Sequence, residues 1–521
     1  MILENLITAL SSPNAFPYPV AEVRICQTHL SVVFLAGDFV YKVKKPVHFD
    51  FVDFGTLESR EHFCREEVRL NRRLAPDVYL DVVPISQVGS EIRIEGEGIP
   101  IEWAVKMRRL PDEASLKHHL LHGDVDRQTV VTLAQRVARF HANAPGGPSL
   151  AEFGRFDLVA GNARENIAAL TPFVDRVISP PVLKRLTTLL EAHLAHLQPL
   201  IEKRAQNGMP RDTHGDLRLE HIYFFAERTE PHDLVIIDCI EFNKKFRFAD
   251  PVADMAFLVM DFTANGRQDL ARIFADAYFQ ACGDDEGRLL LQFYVSYRSA
   301  VRAKVSAFKS NETEVGEPER TAALAKSRAR TLQALSELET PGKRPCLILT
   351  AGLPGTGKST LANDLAEYSP FHVIRTDVVR KELAATVPAG TSVYTADWNQ
   401  RTYAECLRRA EALFFAGDRV IVDGNFREES QRRAFRKAAE DWGMPFVVLL
   451  CKTSPEIVRA RLAGRRGDAS DADWTVYERL AEQWREPHDS ERRFIHEIDS
   501  DGKREAAFEQ GRSILRLLNL L

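Results

Sequence analysis

The stretch CLILTAGLPGTGKSTLANDLA (346–366) decides the fold of the C-terminal part of the chain. An apolar run, a glycine-rich loop and a helical pattern follow one another, and the loop has the spelling GxxxxGK[ST]. Glycines let backbone N–H groups converge on phosphate oxygens, and the N-terminus of the following helix adds positive potential. The stretch therefore predicts a nucleotide-binding P-loop between a strand and a helix.

The residues of this loop have separate expected roles. Lys358 is expected to reach the β- and γ-phosphates, and the Ser359 hydroxyl is expected to ligate Mg²⁺. The backbone around them is expected to surround the phosphates. The residues predicted to contact the nucleotide are Gly352, Gly355, Thr356, Gly357, Lys358, Ser359 and Thr360.

Short apolar runs alternate with helical patterns after the loop, as in FHVIRTD (371–377), DRVIVDG (418–424) and PFVVLLC (445–451). Such runs predict a parallel sheet that is covered on both faces, so we expect an α/β P-loop fold here. Asp423 ends one of these runs, where a carboxylate near the Mg²⁺ ion is expected.

Residues 345–515 resemble a group of P-loop kinases that includes the zeta-toxin, chloramphenicol phosphotransferase, gluconate kinase and polynucleotide 5′-kinase families. Besides the P-loop, the resemblance rests on RTDVVRKEL (375–383). It implies that Asp377 accepts the proton of the acceptor hydroxyl and that Arg380 contacts substrate or phosphate. It also implies lid arginines that close over the nucleotide, which are Arg465 and Arg466.

A second pattern, HGDLRLEHI (214–222), is typical of a kinase catalytic loop. Asp216 would orient and deprotonate an acceptor hydroxyl, and Asp238, after the next apolar run, would ligate Mg²⁺. The other metal position holds His221, where such loops normally have Asn. Imidazole is a poor ligand for Mg²⁺ because that ion prefers oxygen donors, so Glu220 is an alternative donor.

Further parts of a kinase-like site occur upstream in the expected order. A predicted strand offers Lys42 or Lys44 for the α- and β-phosphates of the nucleotide. The charged helix that follows offers Glu66 or Glu67 as the partner of that lysine, and the sequence leaves both choices open. The segment around Met107 is expected to seat the adenine ring.

Residues 20–330 resemble the aminoglycoside phosphotransferase branch of the kinase-like fold. The resemblance implies a two-lobed α+β protein-kinase-like domain, in which Asp216 is the catalytic base and Asp238 the principal metal ligand. Asp250 and Asp254 would hold the catalytic loop in place. An alternative is a kinase-like scaffold that binds a ligand without transferring phosphate. The motifs that carry the resemblance are VARFH (137–141), HGDLRLEHI (214–222), IIDCIEF (236–242) and FADPVADMAFL (248–258).

The chain of 521 residues is too long for one hydrophobic core. ETPGKRP (339–345) combines proline, glycine and charge, so it predicts a linker between a kinase-like domain at 1–340 and a P-loop kinase domain at 341–521. No apolar run reaches the length of a membrane span, and the N-terminus lacks the pattern of a signal peptide. Seven scattered cysteines are typical of a reducing compartment, so we expect a cytoplasmic protein.

These observations predict an ATP- and Mg²⁺-dependent kinase of a hydroxyl on a small molecule, such as a sugar, amino sugar or nucleoside. The C-terminal domain would be the main catalytic domain. The N-terminal domain would be a second or degenerate phosphotransferase that binds ATP or GTP. Two alternatives stay open, a kinase of nucleic-acid 5′ ends and a nucleotide-sensing regulator. The net charge of −5 disfavours nucleic acid and membrane partners, whereas the resemblance to polynucleotide 5′-kinases supports the first alternative. The basic run QRRAFRKAA (431–439) is predicted to be a solvated helix face, with contact to nucleic-acid phosphates as its alternative.

Overall fold

The chain folds into two compact units in the computed structural model. The first contains residues Met1–Val159 and Leu197–Leu291, and the second contains Ala160–His196 and Gln292–Leu521. The predicted boundary at 340/341 falls inside the second unit and, as a domain limit, stays a prediction. The structure describes residues 3–49, 51–89, 91–312, 315–388, 392–393, 395–464 and 472–521.

The first unit begins with an antiparallel sheet of six strands in the order β1-β2-β3-β8-β6-β7. Its long helix α2 begins after Thr56, whose hydroxyl accepts a hydrogen bond from the Ser59 N–H at 3.1 Å. In chain order the elements are α1 (Leu3–Leu10), β1 (Val23–Gln27), β2 (Ser31–Ala36), β3 (Phe39–Lys44), β4 (His48–Phe49), β5 (Val52–Asp53), α2 (Leu57–Asn71), β6 (Tyr79–Val88), β7 (Glu91–Ile94) and β8 (Ile99–Arg108).

Both faces of this sheet are buried. Phe34 and Tyr41 lie in one apolar cluster with residues of α1. Val105 and Met107 lie in a second cluster with Cys64 of α2. Side chains alternate between the faces of a strand, so β3 and β8 contribute to both clusters. Helix α2 is therefore held against β8, which is paired with the strand that carries the candidate lysines, β3.

Helices predominate from residue 116 to residue 338. Helix α8 is buried over almost its whole length, and Asp250 caps it by accepting a hydrogen bond from the Val252 N–H at 2.9 Å. The elements are α3 (Leu116–His122), α4 (Arg127–Asn143), α5 (Phe156–Ala168), α6 (Pro180–Gln206), β9 (Arg211–Asp212), β10 (Ile222–Phe224), β11 (Leu234–Ile236), α7 (Lys244–Arg247), β12 (Phe248–Ala249), α8 (Pro251–Ala264), α9 (Gln268–Cys282), α10 (Asp285–Arg288), α11 (Leu291–Lys309) and α12 (Glu317–Leu338).

The C-terminal part is an α/β fold on a parallel sheet, as predicted. Its five strands have the order β14-β15-β13-β16-β17, and every residue of β13 and β15 is buried, as expected for inner strands of a covered sheet. The elements are β13 (Cys346–Ala351), α13 (Lys358–Tyr368), β14 (Phe371–Arg375), α14 (Thr376–Ala384), α15 (Ala396–Phe415), β15 (Arg419–Asp423), α16 (Glu429–Asp441), β16 (Phe446–Lys452), α17 (Pro455–Gly464), α18 (Trp474–Glu482), β17 (Ile495–Asp499) and α19 (Arg504–Leu517).

Helix α12 packs against the P-loop part within the second unit. A Cβ atom at Gly443 would lie 2.6 Å from the carbonyl oxygen of Ala329, so the backbone after α16 touches the backbone of α12. The Arg328 guanidinium lies over two rings, 5.9 Å from Phe415 and 5.8 Å from Trp442. The P-loop part is thus covered on this side by a helix that precedes the predicted linker.

None of the helices in the described part of the chain combines the length and the apolar character that crossing a membrane requires.

Candidate active sites

The P-loop follows β13 in a conformation that requires glycine at two positions. Gly352 has φ +133° and Gly355 has φ +80°, values that residues with a side chain rarely adopt. A Cβ atom at Gly352 would lie 2.5 Å from the carbonyl oxygen of Cys451, and one at Gly355 would lie 2.8 Å from Val458 Cγ1. The backbone of the loop therefore packs directly against β16 and α17.

The first residues of α13 bring three polar groups together at the carboxyl edge of the sheet. Lys358 is buried, and its Nζ donates a hydrogen bond to the carbonyl oxygen of Leu353 at 2.7 Å. The Ser359 hydroxyl donates to Asp423 Oδ2 at 2.5 Å, and the Thr350 hydroxyl donates to Asp423 Oδ1 at 3.1 Å. The second contact follows from the sheet, because Thr350 and Asp423 are in register on neighbouring strands.

The burial of the Asp423 carboxyl favours a cation beside it. Burial raises the pKa of the Asp423 carboxyl, and Lys358 and the two hydroxyl groups oppose this rise only in part. Arg375 Nε lies 3.6 Å from Asp423 Oδ2. The hydroxyl of Ser359 and the carboxylate of Asp423 are oxygen donors, the type that Mg²⁺ prefers. These two predicted residues therefore fit a Mg²⁺ ion.

The predicted acceptor residues Asp377 and Arg380 lie on α14 at the same edge of the sheet. Strand β14 lies beside β15 with Arg375 in register with Asp423, so the helix that follows β14 begins near the P-loop. Asp377 is in the first turn of that helix and is half-buried. Arg380 is buried, and its Nη1 donates to the carbonyl oxygen of Val393 at 3.0 Å.

Sequence reasoning missed Arg461 on α17. Its Nη2 donates to the carbonyl oxygen of Ser500 at 2.6 Å, and its Nη1 lies 3.5 Å from the carbonyl oxygen of Gly355 in the P-loop. A signal was present, since α17 belongs to the arginine-rich stretch that contains the predicted lid. Arg465 and Arg466, the predicted lid arginines, lie outside the described residues.

The remaining predicted contacts of the loop differ in exposure. Thr356 is buried, and its hydroxyl donates to the carbonyl oxygen of Leu353 at 2.8 Å. Thr360 is exposed one turn into the helix. Gly357 has φ +90° and directly precedes Lys358, so it ends the loop where the helix begins. Their contacts with a nucleotide stay predictions.

In the first unit, both candidate lysines contact the same glutamate. Lys42 Nζ lies 2.8 Å from Glu67 Oε1, and Lys44 Nζ lies 2.8 Å from Glu67 Oε2. Lys42 also contacts Asp238 Oδ1 at 2.8 Å, and Lys44 pairs with Glu241. The two lysines share a face of β3 because side chains two residues apart point the same way. The strand lysine nearer to the predicted metal ligand is thus Lys42.

The alternative glutamate lies on the surface. Glu66 forms a bidentate pair with Arg69 on its own helix, at 2.9 and 2.7 Å. Burial works against the charge of Lys42, but Asp238 and Glu67 raise its pKa well above the ordinary value. Burial would raise the pKa of Asp238, but Lys42 in particular holds it well below the ordinary value. The pair of Lys42 and Asp238 is therefore ionised.

The backbone at Asp238 is held in an unusual conformation. Its φ is +65°, in the left-handed region that side-chain residues seldom adopt. The Asp238 N–H donates to the Tyr79 hydroxyl at 3.1 Å, and the Cys239 N–H donates to Asn71 Oδ1 at 2.8 Å. Groups on β6 and α2 thus fix the direction in which the Asp238 carboxylate points.

A buried carboxylate organises the start of the HGD loop. Asp254 accepts hydrogen bonds from the His214 N–H at 3.0 Å and from the Gly215 N–H at 2.8 Å. It also lies 3.0 Å from His141 Nε2. Asp254 thus holds the loop as the resemblance implied, whereas Asp250 caps the helix that carries Asp254, α8, and pairs with Arg204.

The end of the HGD loop gathers a cluster of charged and polar groups. His221 Nε2 lies 3.5 Å from Asp238 Oδ2, and ligand atoms of Asp216, His221 and Asp238 all lie within 4.8 Å of one another. Arg218, which sequence reasoning missed, donates from Nε to Asp216 Oδ2 at 3.0 Å and pairs with Glu220. One nitrogen among the three ligand atoms makes the set a poor match for Mg²⁺.

Met107 lies in the core on β8, where it is in register with Val40. A cleft of about 420 Å³ lies just beyond the end of this strand, and its lining residues are Asp38 and residues 108–113. The predicted contact between Met107 and adenine stays a prediction.

Comparison with known proteins gives a family match for the P-loop part and relatives over nearly the whole chain. Residues 347–487 match the model of an AAA domain family, AAA_33. Over 505 residues the chain is 33% identical to the uncharacterized protein Rv2004c of Mycobacterium tuberculosis (strain ATCC 25618 / H37Rv), and the match covers 96% of both chains. The chain belongs to the family of this mycobacterial protein.

Two solved structures are similar to parts of this chain. The GDP complex of aminoglycoside 2′-phosphotransferase-IIIa is 13% identical with a TM-score of 0.39, covering 64% of this chain and 99% of that one. A sugar kinase from Janibacter sp. HTCC2649 is 17% identical with a TM-score of 0.28, covering 34% of this chain and 96% of that one. The match to the AAA domain family lies within the α/β part of the chain, which carries the P-loop.

Proposed function

We propose that the protein is an ATP- and Mg²⁺-dependent phosphotransferase that acts on a hydroxyl group of a small molecule. The P-loop domain is the main catalytic domain. The observation that carries the proposal is the convergence of Lys358, Ser359 and Asp423 at the edge of the parallel sheet, where the start of α14 also lies. This combines a phosphate site, an oxygen-donor cation site and an acceptor carboxylate in one place.

The residues of the P-loop domain divide the work of phosphoryl transfer. Lys358 exchanges the carbonyl oxygen of Leu353 for phosphate oxygens when a nucleotide binds. Ser359 and Asp423 hold Mg²⁺, which supplies positive charge for the β- and γ-phosphates. Asp377 accepts the proton of the acceptor hydroxyl, and Arg461 adds positive charge beside the loop.

The N-terminal domain is proposed to be a second nucleotide site for ATP or GTP. Lys42, held by Glu67 and Asp238, is placed to contact phosphates, and Asp216 is placed as the base for an acceptor hydroxyl. Arg218 donates to the Asp216 carboxylate, so this base is engaged before any acceptor binds. We therefore assign the N-terminal domain the weaker phosphotransferase activity.

The alternative of a nucleic-acid kinase receives no support from the basic run in α16. Arg432 is buried in a bidentate pair with Glu491, at 2.9 and 2.7 Å. Lys437 pairs with Asp441 one turn along the helix at 2.8 Å. The positive charges of the run are thus compensated within the domain, which leaves little to attract a phosphate backbone.

The test is ADP release with Mg²⁺-ATP across pools of sugars, amino sugars, nucleosides and 5′-hydroxyl oligonucleotides. We would compare the intact protein with Lys358→Ala and Asp216→Ala. The matched controls are Lys437→Ala and Asp276→Ala, which remove exposed residues that form surface ion pairs.

A pool whose turnover is lost only in Lys358→Ala supports the P-loop domain as the main catalytic domain. A pool that depends on Asp216 shows that the N-terminal domain is active as well. Turnover that survives Lys358→Ala on every pool contradicts the proposal. Turnover on oligonucleotides alone favours the nucleic-acid kinase, and an absence of turnover with coupled nucleotide binding at two sites favours a regulator.

A further inference from the structure

The hydrogen bonds of His221 fix its protonation. Its Nδ1 lies 2.9 Å from the backbone carbonyl oxygen of Asp216, which can only accept, so Nδ1 carries a proton. Its Nε2 lies 3.1 Å from Arg218 Nη2, and a guanidinium can only donate. Nε2 therefore presents its lone pair, and the ring is the neutral Nδ1–H tautomer.

This arrangement is the one that metal-binding histidines use. A ligating histidine normally donates its other ring N–H to a backbone carbonyl or carboxylate, which fixes the ring and its tautomer. His221 Nε2 also lies 3.5 Å from Asp238 Oδ2. Ligand atoms that share one octahedral ion at about 2.1 Å are about 3 Å apart, so a small movement would let both bind one ion.

We infer that the cluster of Asp216, His221 and Asp238 binds a first-row transition-metal dication in preference to Mg²⁺. Imidazole nitrogen suits such cations, whereas Mg²⁺ demands oxygen donors and dehydrates reluctantly. His221 at the position where Asn is usual replaces an oxygen donor by nitrogen. The chain thus has two cation sites of different chemistry, because Ser359 and Asp423 offer only oxygen.

Arg218 competes with this cation. Its guanidinium donates to Asp216 and to His221 Nε2, two of the groups that would ligate the metal. One lone pair on Nε2 cannot serve a guanidinium and a metal at once, so Arg218 leaves Nε2 when the cation binds. Arg218 is therefore a positioning residue that neutralises the cluster in the absence of metal.

A catalytic role for this cation rests on the proposed second nucleotide site. Binding of the cation to the cluster does not, and the test therefore measures cation binding alone. Mn²⁺ is titrated into the full chain without nucleotide, and the loss of the signal of free Mn²⁺ in electron paramagnetic resonance is recorded. All samples carry Ser359→Ala to remove the oxygen-donor site. The variants are His221→Asn, Arg218→Ala and, as a matched control on the surface, His232→Asn.

We expect the parent to bind one Mn²⁺ and to need at least about tenfold more Mg²⁺ to displace it. His221→Asn should weaken Mn²⁺ binding about tenfold or more, and Mg²⁺ should then compete at similar concentrations. Arg218→Ala should bind Mn²⁺ more tightly than the parent, and His232→Asn should equal it.

Three results would overturn the inference. These are a parent that binds no Mn²⁺, displacement of Mn²⁺ by an equal concentration of Mg²⁺, and equal Mn²⁺ affinity in parent and His221→Asn. If His221→Asn does not fold, the Arg218→Ala variant provides the test. Mn²⁺ binding by Arg218→Ala that is equal to or weaker than that of the parent would show that Arg218 does not compete with the cation, and would contradict the inference. Failure of the P-loop domain as a kinase would change none of these readings.

Discussion

The hydroxyl of Ser359 donates a 2.5 Å hydrogen bond to the carboxylate of Asp423. Ser359 lies in the first turn of the helix after the P-loop and Asp423 ends a neighbouring strand, so the contact joins two elements that the proposed phosphoryl transfer would use. A cation that enters with a nucleotide would therefore find two of its oxygen ligands already in place.

Asp423→Asn should uncouple nucleotide binding from Mg²⁺. We expect Mg²⁺-dependent turnover to fall about 10- to 100-fold, because the variant weakens a cation site without touching the loop backbone. Nucleotide affinity in EDTA should stay unchanged. Asp441→Asn, on the exposed side of α16, is the control. Unaltered Mg²⁺ dependence in Asp423→Asn would show that this carboxylate has no part in holding the cation.

Glu67→Ala should destabilise the first unit much more than Glu66→Ala. Removal of Glu67 leaves Lys42 and Lys44 buried with fewer partners, and breaking a buried pair costs about 3–5 kcal/mol. Glu66 has an exposed pair with Arg69, for which about 0–1 kcal/mol is typical. The free energy of unfolding is measured in urea, with the transition of each unit fitted separately. Equal effects of the two substitutions would contradict the burial argument.

Arg461→Ala should lower kcat/KM for the P-loop activity about 10- to 100-fold. The guanidinium lies against the loop through Gly355 and is held by Ser500, and hydrogen bonds to charged groups contribute about 1.5–3 kcal/mol. Arg459 is a matched control on the same helix, since it lies over the ring of Trp474. Comparable losses in both variants would mean that α17 is needed only for its fold.

Gly352→Ala and Gly161→Ala should change stability in opposite directions. At Gly352 the new methyl group would meet the carbonyl oxygen of Cys451, and the backbone is left-handed, so we expect lower stability and loss of nucleotide binding. At Gly161, within α5, nothing lies within 4 Å of the added Cβ, and alanine favours a helix by about 0.5–1 kcal/mol. Thermal unfolding and nucleotide titration of both variants test this. Retained binding in Gly352→Ala would contradict the close approach of loop and strand.

The P-loop was predictable because phosphate binding requires particular residue types at fixed positions in the loop. Glycine at residues 352 and 355 follows from backbone geometry, and the ends of parallel strands bring Ser359 and Asp423 to one edge of the sheet. Pattern alone could not separate Glu66 from Glu67, since adjacent residues on a helix differ only in the direction they face. The structure separates the two residues, because Glu67 is buried beside the lysines of β3 whereas Glu66 pairs with Arg69 on the surface. Arg461 was one of several arginines in a polar stretch, and nothing local marked the one that reaches the loop.

The contact between Arg218 and the catalytic-loop groups shows a different limit of sequence reasoning. Residues two and three apart in an irregular turn meet only if the backbone folds back, as the short turn after Arg218 does. No periodicity signals such a contact. The position of His221 was visible in the sequence, but the tautomer on which its proposed role as a ligand rests depends on the backbone carbonyl of Asp216.

The packing of α12 on the P-loop part means that a cut at the predicted linker would divide one compact unit. A fragment that begins at residue 341 would lack Ala329 and Arg328, and so would expose the backbone at Gly443 and the ring of Trp442 to water. A fragment designed to fold by itself would therefore have to begin before α12, well upstream of the predicted linker.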